Sequence, residues 1–250
     1  MAFSPEPAPA EPPPPYRARS GRRRSQRLVA LSRAATVGLV VVLAAFVVLA
    51  VLVASRWRPL IGVDQSAVLA AHRDVQTHPW LLRGADVATT TGSPLVVDIV
   101  TVVGGLLLLA RYRVRAALYL LVTRMAELAV ETGVKQVVHR PRPRLLDPVA
   151  HTTGFSFPSG HAGGSTAVYG AVFVLAVAAS WGAKRPAAWI TAGALALLVV
   201  VLVAAVAASR VLLGVHYPSD VTGGVLLGVA CLVAARPLQQ SPPPPRAGPP

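Results

Sequence analysis

Ala34–Ala54 reads AATVGLVVVLAAFVVLAVLVA, an apolar run without one charged side chain. A helix rising about 1.5 Å per residue crosses a hydrocarbon core of about 30 Å in roughly 20 residues, so this run is long enough to span a bilayer. It follows a basic stretch, as the apolar region of a signal peptide does, but it is too long for one and more runs follow; it reads as an uncleaved anchor. The others are Ser93–Ala110, Ala116–Val134, Ala162–Ser180, Ala187–Ala208 and Val221–Ala235, divided by short polar or basic connectors. The fold class expected is therefore all-α, a polytopic membrane protein built as a bundle of six transmembrane helices.

Composition agrees with that reading. Of 250 residues, 54% are hydrophobic, and the mean hydropathy is positive, which leaves little room for an ordinary soluble domain. The net charge of +14 does not gather on one face. Arg17, Arg19, Arg22, Arg23, Arg24, Arg27 and Arg33 crowd the stretch before the first run, where anionic headgroups and the positive-inside rule account for them. No nucleic-acid partner is expected. Cys231 is the only cysteine, which excludes an internal disulfide and a cysteine metal cluster.

Residues 1–33 read as a disordered Pro-rich then Arg-rich cytoplasmic tail, 34–236 as the helical domain and 237–250 as a second disordered Pro-rich tail. The stretch Ser55–Gly92 is too long for a bare loop, and Ile61–Ala71 suits a helix lying at the membrane surface. Gly224 and Gly228 have the small-x-x-x-small spacing that lets helices approach closely in lipid. Trp57, Trp181 and Trp189 fall at span ends, where amphipathic rings prefer the interface.

With the amino end inside, alternate connectors emerge on opposite sides. The inside set holds the seven arginines, then Arg111, Arg113 and Arg115, then Lys184 and Arg185. The outside set, Arg56, Arg58, Arg73, Arg83, Lys135, Arg140, Arg142, Arg144 and Arg210, is basic too, but its last five fall in or beside the segments suited to chemistry. The connectors 135–161 and 209–220 emerge together on the other, extracytoplasmic face, and three distant segments can meet there.

The residues suited to chemistry lie in those segments. Arg124, Glu127, Glu131 and Lys135 are spaced by three or four and share one face of the third span. Ionisable groups at that depth pair or line a cavity. Arg124 and Glu127, joined by Asp98 from the second span, suit ion pairs that hold the bundle; Glu131 suits either that or support of Lys135. Lys135 opens KQVVHRPRP, a helix end followed by a proline-stiffened strip with Arg140, Arg142 and Arg144. Guanidinium forks match phosphate oxygens two at a time, although a basic loop against lipid headgroups fits this segment alone equally well.

GFSFPSGHAGG is more specific. Gly160 lets the backbone approach a ligand, Ser159 can donate its hydroxyl hydrogen, and the fourth span starts directly after, offering unpaired N–H groups to an anion beside His161. In SRVLLGVHYPSD, Asp220 follows His216 by four and Arg210 precedes it by six. A carboxylate at one imidazole nitrogen fixes the tautomer and frees the other nitrogen as a nucleophile. Together the segments hold what phosphoryl transfer requires: cations for three oxygens, an attacking nitrogen and a proton donor. No clustered carboxylates suggest a metal pair.

At these residues the chain resembles the type 2 phosphatidic acid phosphatase superfamily, whose signature is K-x6-R-P, P-S-G-H and S-R-x5-H-x3-D. Lys135 with Arg142 and Pro143 fits the first part and selects Arg142 over Arg140; Pro158–His161 fits the second; Ser209, Arg210, His216 and Asp220 fit the third. The resemblance implies that His216 attacks phosphorus, that Asp220 orients it, and that His161 protonates the leaving group and later activates water. It implies that Lys135, Arg142, Arg210, Ser159 and the Gly160 N–H hold the phosphoryl oxygens with neither metal nor cofactor. The partners implied are a lipid phosphate substrate (polyprenyl pyrophosphate, phosphatidylglycerophosphate or phosphatidate type) and the bilayer itself, in a bacterial inner membrane. A phosphotransferase with a non-water acceptor shares every one of these residues, and a headgroup-binding transporter would need only the cations. The motifs select neither one lipid nor an oligomeric state.

Overall fold

Wherever the sequence places an apolar run, the computed structural model has a helix. The structure describes residues 16–146, 148–150, 152–180 and 186–239. Residues 1–15 and 240–250 of the two Pro-rich ends, and Trp181, Lys184 and Arg185, lie outside the described residues. The chain divides into two compact units, 1–38 and 39–250. Among its described residues the first unit is helical from Tyr16, so helix already runs through the Arg-rich stretch.

In chain order the helices are α1 (Tyr16–Ala54), α2 (Arg58–Thr77), α3 (Pro79–Thr91), α4 (Pro94–Ala110), α5 (Val114–Val138), α6 (Gly160–Ser180), α7 (Pro186–Leu212), α8 (Pro218–Ala234) and the short α9 (Arg236–Gln239). Proline in the first turn opens α2, α3, α4 and α8, where its missing N–H costs nothing and its fixed φ suits the helix. Five helical stretches among the described residues are long and apolar enough to cross a membrane. α5, at 25 residues, is also long enough to cross, and differs by carrying Arg124, Glu127, Glu131 and Lys135.

The outward faces of these helices are apolar. Val102, Leu106, Leu197 and Val200 are each more than half exposed, and the most apolar window of the stretch Trp189–Leu212 is only 6% buried. In water such a surface would be a large exposed apolar patch; against lipid tails it is solvated. The chain is an integral membrane protein.

The region between α1 and α4 is more ordered than the sequence implies. The helix expected over Ile61–Ala71 lies within α2, and a second helix, α3, follows it; Asp64 of α2 meets Arg140 and Ser219, and Thr89 of α3 meets Arg210. The buried face of α2 is Asp64, Val68, His72 and Val75, and His72 Nε2 lies 3.1 Å from the Leu146 carbonyl.

α6 packs against α8, and the close approach expected of Gly224 and Gly228 is found there. A Cβ on Gly224 would meet the Ser159 carbonyl and the Gly163 nitrogen, and one on Gly228 would meet the Gly163 carbonyl. Both obstacles are backbone and cannot rotate away. Gly224→Ala should therefore destabilise the fold by about 1–3 kcal/mol, seen as a lower melting temperature in detergent; an unchanged melting temperature would show that the helices can part at this point.

Candidate active site

Backbone hydrogen bonds tie the three motif segments to one another. The Ser156 N–H donates to the Arg140 carbonyl at 2.8 Å, the Ser159 N–H to the Asp220 carbonyl at 2.9 Å, and the His216 N–H to the Arg210 carbonyl at 3.2 Å. The segments meet around a cavity of about 680 Å³ whose lining includes Lys135, Arg142, Gly160, His161, Arg210 and His216, with Arg124 and Glu131 on the α5 side. α6 starts at Gly160, so its first N–H groups have no carbonyl partner in their own helix.

His216 is 2% exposed and sits in the five-residue turn between α7 and α8. Its Nδ1 stands 3.5 Å from Asp220 Oδ2, within ion-pair reach but longer than a formed hydrogen bond. On its other side Arg142 Nη1 approaches Nε2 at 3.0 Å. A guanidinium can only donate, so Nε2 is the acceptor and the ring proton belongs on Nδ1, facing the carboxylate. Burial pushes the His216 pKa down to about 4 against the opposing pull of Asp220, with Arg142 and Arg210 lowering it further. Neutral imidazole, with its Nε2 lone pair turned to Arg142, is the state this surrounding favours.

Asp220 is fully buried and multiply held. Ser156 Oγ and the Tyr217 N–H donate to Oδ2, the latter at 2.8 Å, and Arg140 Nη1 donates to Oδ1 at 2.5 Å. The Tyr217 bond comes from the capping position of α8, so the start of that helix fixes the carboxylate three residues on.

The cations are anchored at their rims and open toward the cavity. Arg142 Nη1 also donates to the Val215 carbonyl at 2.8 Å, and its Nε to the Gly154 carbonyl at 3.1 Å. Burial lowers its pKa while Asp220 and Glu131 oppose that shift; an arginine so shifted stays charged at neutral pH. Arg210 Nη1 donates to Thr89 Oγ1 at 2.5 Å, and Lys135 Nζ to Glu131 Oε1 at 2.5 Å. Arg210 Nε and Ser159 Oγ are buried without any hydrogen-bond partner. Buried donors are rarely left so, and an anion among them would supply the acceptors.

All eight residues singled out in the sequence belong to this place: Lys135, Arg142, Gly160, His161, Arg210 and His216 line the cavity, and Ser159 and Asp220 stand directly behind it. Arg140 does not line it. Its guanidinium turns inward to Asp220, Ser219 and Asp64, with its carbon 4.2 Å from the centre of the Tyr217 ring. Arg124 pairs with Asp98 and Glu127 at 2.7 Å each, as bundle ion pairs would, and it also reaches the cavity wall. Asp64, Thr89, Ser156 and Ser219 escaped the sequence reading. For Asp64 a signal existed: it shares a face with Val68, His72 and Val75, a spacing that buries a carboxylate on an amphipathic helix.

Among the described residues no group of three or more His, Cys, Asp or Glu side chains is arranged to hold a metal ion. The donors around the cavity are cationic or neutral save Glu131, a set suited to an anion.

Comparison with known proteins points the same way. The chain is 31% identical over 154 residues to phosphatidylglycerophosphatase B of Bacillus subtilis, covering 60% of this chain and 71% of that protein. It is 38% identical over 103 residues to decaprenylphosphoryl-5-phosphoribose phosphatase of Mycobacterium tuberculosis, covering 40% of this chain and 48% of that one. Its fold is similar to the crystal structure of a transmembrane PAP2-type phosphatidylglycerolphosphate phosphatase from Bacillus subtilis, with a TM-score of 0.68 at 24% identity over 80% of this chain and 94% of that one. The PAP2 superfamily model matches residues 116–241, the stretch that contains every cavity-lining motif residue, and the chain belongs to the PAP2 superfamily.

Proposed function

We propose that the chain is a lipid phosphatase that removes a phosphoryl group from a lipid phosphate through a phosphohistidine on His216. The observation that carries the reading is the pair of contacts on that imidazole, Arg142 at Nε2 and Asp220 beyond Nδ1, which leaves Nε2 as a lone-pair nitrogen beside phosphate-binding cations. Arg142 holds the position that a phosphoryl oxygen would take, and a bound phosphate replaces the imidazole as the acceptor of its hydrogen bond.

In the first step the Nε2 lone pair forms the P–N bond while the P–O bond to the lipid breaks. His161 gives a proton to the departing oxygen. Lys135, Arg142, Arg210, the Ser159 hydroxyl and the Gly160 N–H spread over the three equatorial oxygens. In the second step His161 takes a proton from water, the water oxygen bonds to phosphorus, and the P–N electrons return to His216. The 3.5 Å gap to Asp220 is of the kind that tightens when substrate fills a site.

The lipid enters from the side, since the cavity wall is α5 and α4 near Leu128 and Pro94 and their outer faces meet lipid. The site stands at the end of the bundle where Val53 of α1 packs in the Phe157 cluster with Val138. The positive-inside rule favours a cytoplasmic Arg-rich stretch, and one apolar run separates it in sequence from Val53, which supports an extracytoplasmic site. The named relatives act on phosphatidylglycerophosphate and on a phosphoribose lipid, which makes a phosphomonoester at the edge of a polar headgroup the first substrate to try.

The test is phosphate release by purified protein in detergent from phosphatidylglycerophosphate, phosphatidate and a polyprenyl diphosphate, each with and without excess EDTA. Turnover of at least one lipid, changed less than about twofold by EDTA, is expected because side chains supply the charge stabilisation. Turnover abolished by EDTA and restored by a divalent cation would overturn the metal-free mechanism, and no release from any of the three would overturn the substrate class.

A further inference from the structure

We propose that Asp64, on α2 and outside the three motif segments, is a positioning residue for Asp220 that acts through Arg140 and Ser219. The proposal rests on the assignment of His216 as nucleophile and concerns what aims its carboxylate.

Four buried groups form a closed set. Asp64 Oδ2 accepts from Arg140 Nη2 at 2.6 Å and from Ser219 Oγ at 2.5 Å, and its Oδ1 accepts from the Ser219 N–H at 3.0 Å. Arg140 Nη1 donates to Ser219 Oγ at 2.6 Å and to Asp220 Oδ1 at 2.5 Å. Asp64 is 1% exposed, Arg140 6%, Ser219 4% and Asp220 0%, so these bonds are largely shielded from bulk water.

The geometry assigns each partner a task. A guanidinium is a rigid plane, and Asp64 at Nη2 fixes the direction in which Nη1 points. That direction holds Asp220 by Oδ1 and leaves Oδ2 turned to Ser156, the Tyr217 N–H and His216 Nδ1. The set also carries two carboxylates for one guanidinium. Arg140 paired with Asp220 alone would cancel the negative field that the imidazole needs; with Asp64 taking a share, Asp220 keeps it. α2, which supplies none of the motif residues, thereby becomes part of the machinery, and Asp64 and His72 on one of its faces hold both the Ser219 turn and the loop at Leu146.

The charges that face His216 are Asp220 from α8, Arg142 from the strip after α5, Arg210 from α7 and His161 from α6, with Lys135 and Glu131 of α5 lining the same cavity. Altering Asp64 or Arg140 removes none of these charges; it changes the aim of Asp220 and the field behind it. Without the Asp64 carboxylate the excess positive charge disfavours protonated His216. Without Arg140, Asp220 acts unopposed and favours it. The two substitutions therefore predict shifts of opposite sign.

The experiment compares Asp64→Asn, Arg140→Gln and the double variant with the parent full-length protein in detergent. The substrate is the lipid phosphate turned over fastest in the panel above, and folding is checked by gel filtration and melting temperature. Asp64→Asn is expected to lower kcat roughly tenfold with KM within about twofold, as a misaimed catalytic group does. The acid limb of kcat/KM is expected to move down by about half a pH unit in Asp64→Asn, up in Arg140→Gln, and back toward the parent in the double variant. Substrate ionisation cancels, because every profile uses the same lipid.

An unmoved limb with parent kcat in Asp64→Asn, or shifts of the same sign in the two single variants, overturns the proposal. Should Asp64→Asn fail to fold, Ser219→Ala carries the test: it cuts the bond from Arg140 to the hydroxyl without changing charge. A several-fold lower kcat with an unmoved limb supports the proposal, and parent kcat overturns it. Turnover retained by His216→Ala would instead sink the site assignment on which the proposal stands.

Discussion

His216→Ala is expected to lower phosphate release by roughly 10⁴-fold or more, because in the proposed mechanism the group removed is the one that forms the bond to phosphorus. Lys135 and Arg210 keep the cavity cationic in the variant, so substrate still binds and the loss falls on kcat. Loss of binding alone would leave kcat intact at saturating lipid. The intermediate gives the sharper measurement: an alkaline quench should trap phosphate on the parent protein at His216 and none on the variant. Labelling that persists in His216→Ala would move the nucleophile elsewhere. The same assignment sets a pH dependence. His216 must be neutral to attack, and burial holds its pKa down to about 4, below its ordinary value of 6.5. Its contribution to kcat/KM should therefore be fully present at neutral pH and lost only as pH falls through about 4. An acid limb near 6.5 that keeps its position across lipid substrates whose phosphates ionise at different pH would contradict that surrounding.

The helices were legible because lipid reads one property over many residues. An apolar run such as Ala34–Ala54 needs no partner to be recognised, and α4, α6, α7 and α8 were found from the same signal. The motif residues were legible for a different reason: spacing along the chain, with Asp220 four residues after His216, already places both at one helix start. What stayed hidden depends on contacts between segments far apart in sequence. Arg140 and Arg142 are alike on paper, each followed by proline, and the family spacing alone chose between them. Folding separates them physically, since Arg142 faces the cavity and Arg140 meets Asp64 across 76 positions of chain. Thr89 shows the limit more plainly: it is one of three consecutive threonines, and only the packing of α3 on α7 selects it to hold Arg210. Gly160 and Gly163 could be read as loop and helix-start glycines, yet their further use is to admit the Glu131 and Glu127 carboxylates against the α6 backbone.

His161→Ala should slow the reaction by about 10²–10⁴-fold on a lipid monophosphate, the range lost when a positioned proton donor is removed. His161 lines the same cavity as His216 but belongs to the first turn of α6. If it protonates the departing oxygen, the loss must depend on what departs. A lipid alkoxide is a poor leaving group and needs the proton early; a lipid phosphate leaving from a diphosphate is a far better one and needs it little. In single-turnover measurements of phosphohistidine formation, the variant should therefore lose at least tenfold less on a polyprenyl diphosphate than on phosphatidate, and His216 should remain the labelled residue in both. Steady-state rates would blur this contrast, because water activation in the second step is slowed equally for either lipid. Equal losses in the formation step itself would assign His161 to phosphate binding beside Arg210, and the proton would then have to reach the leaving oxygen from water.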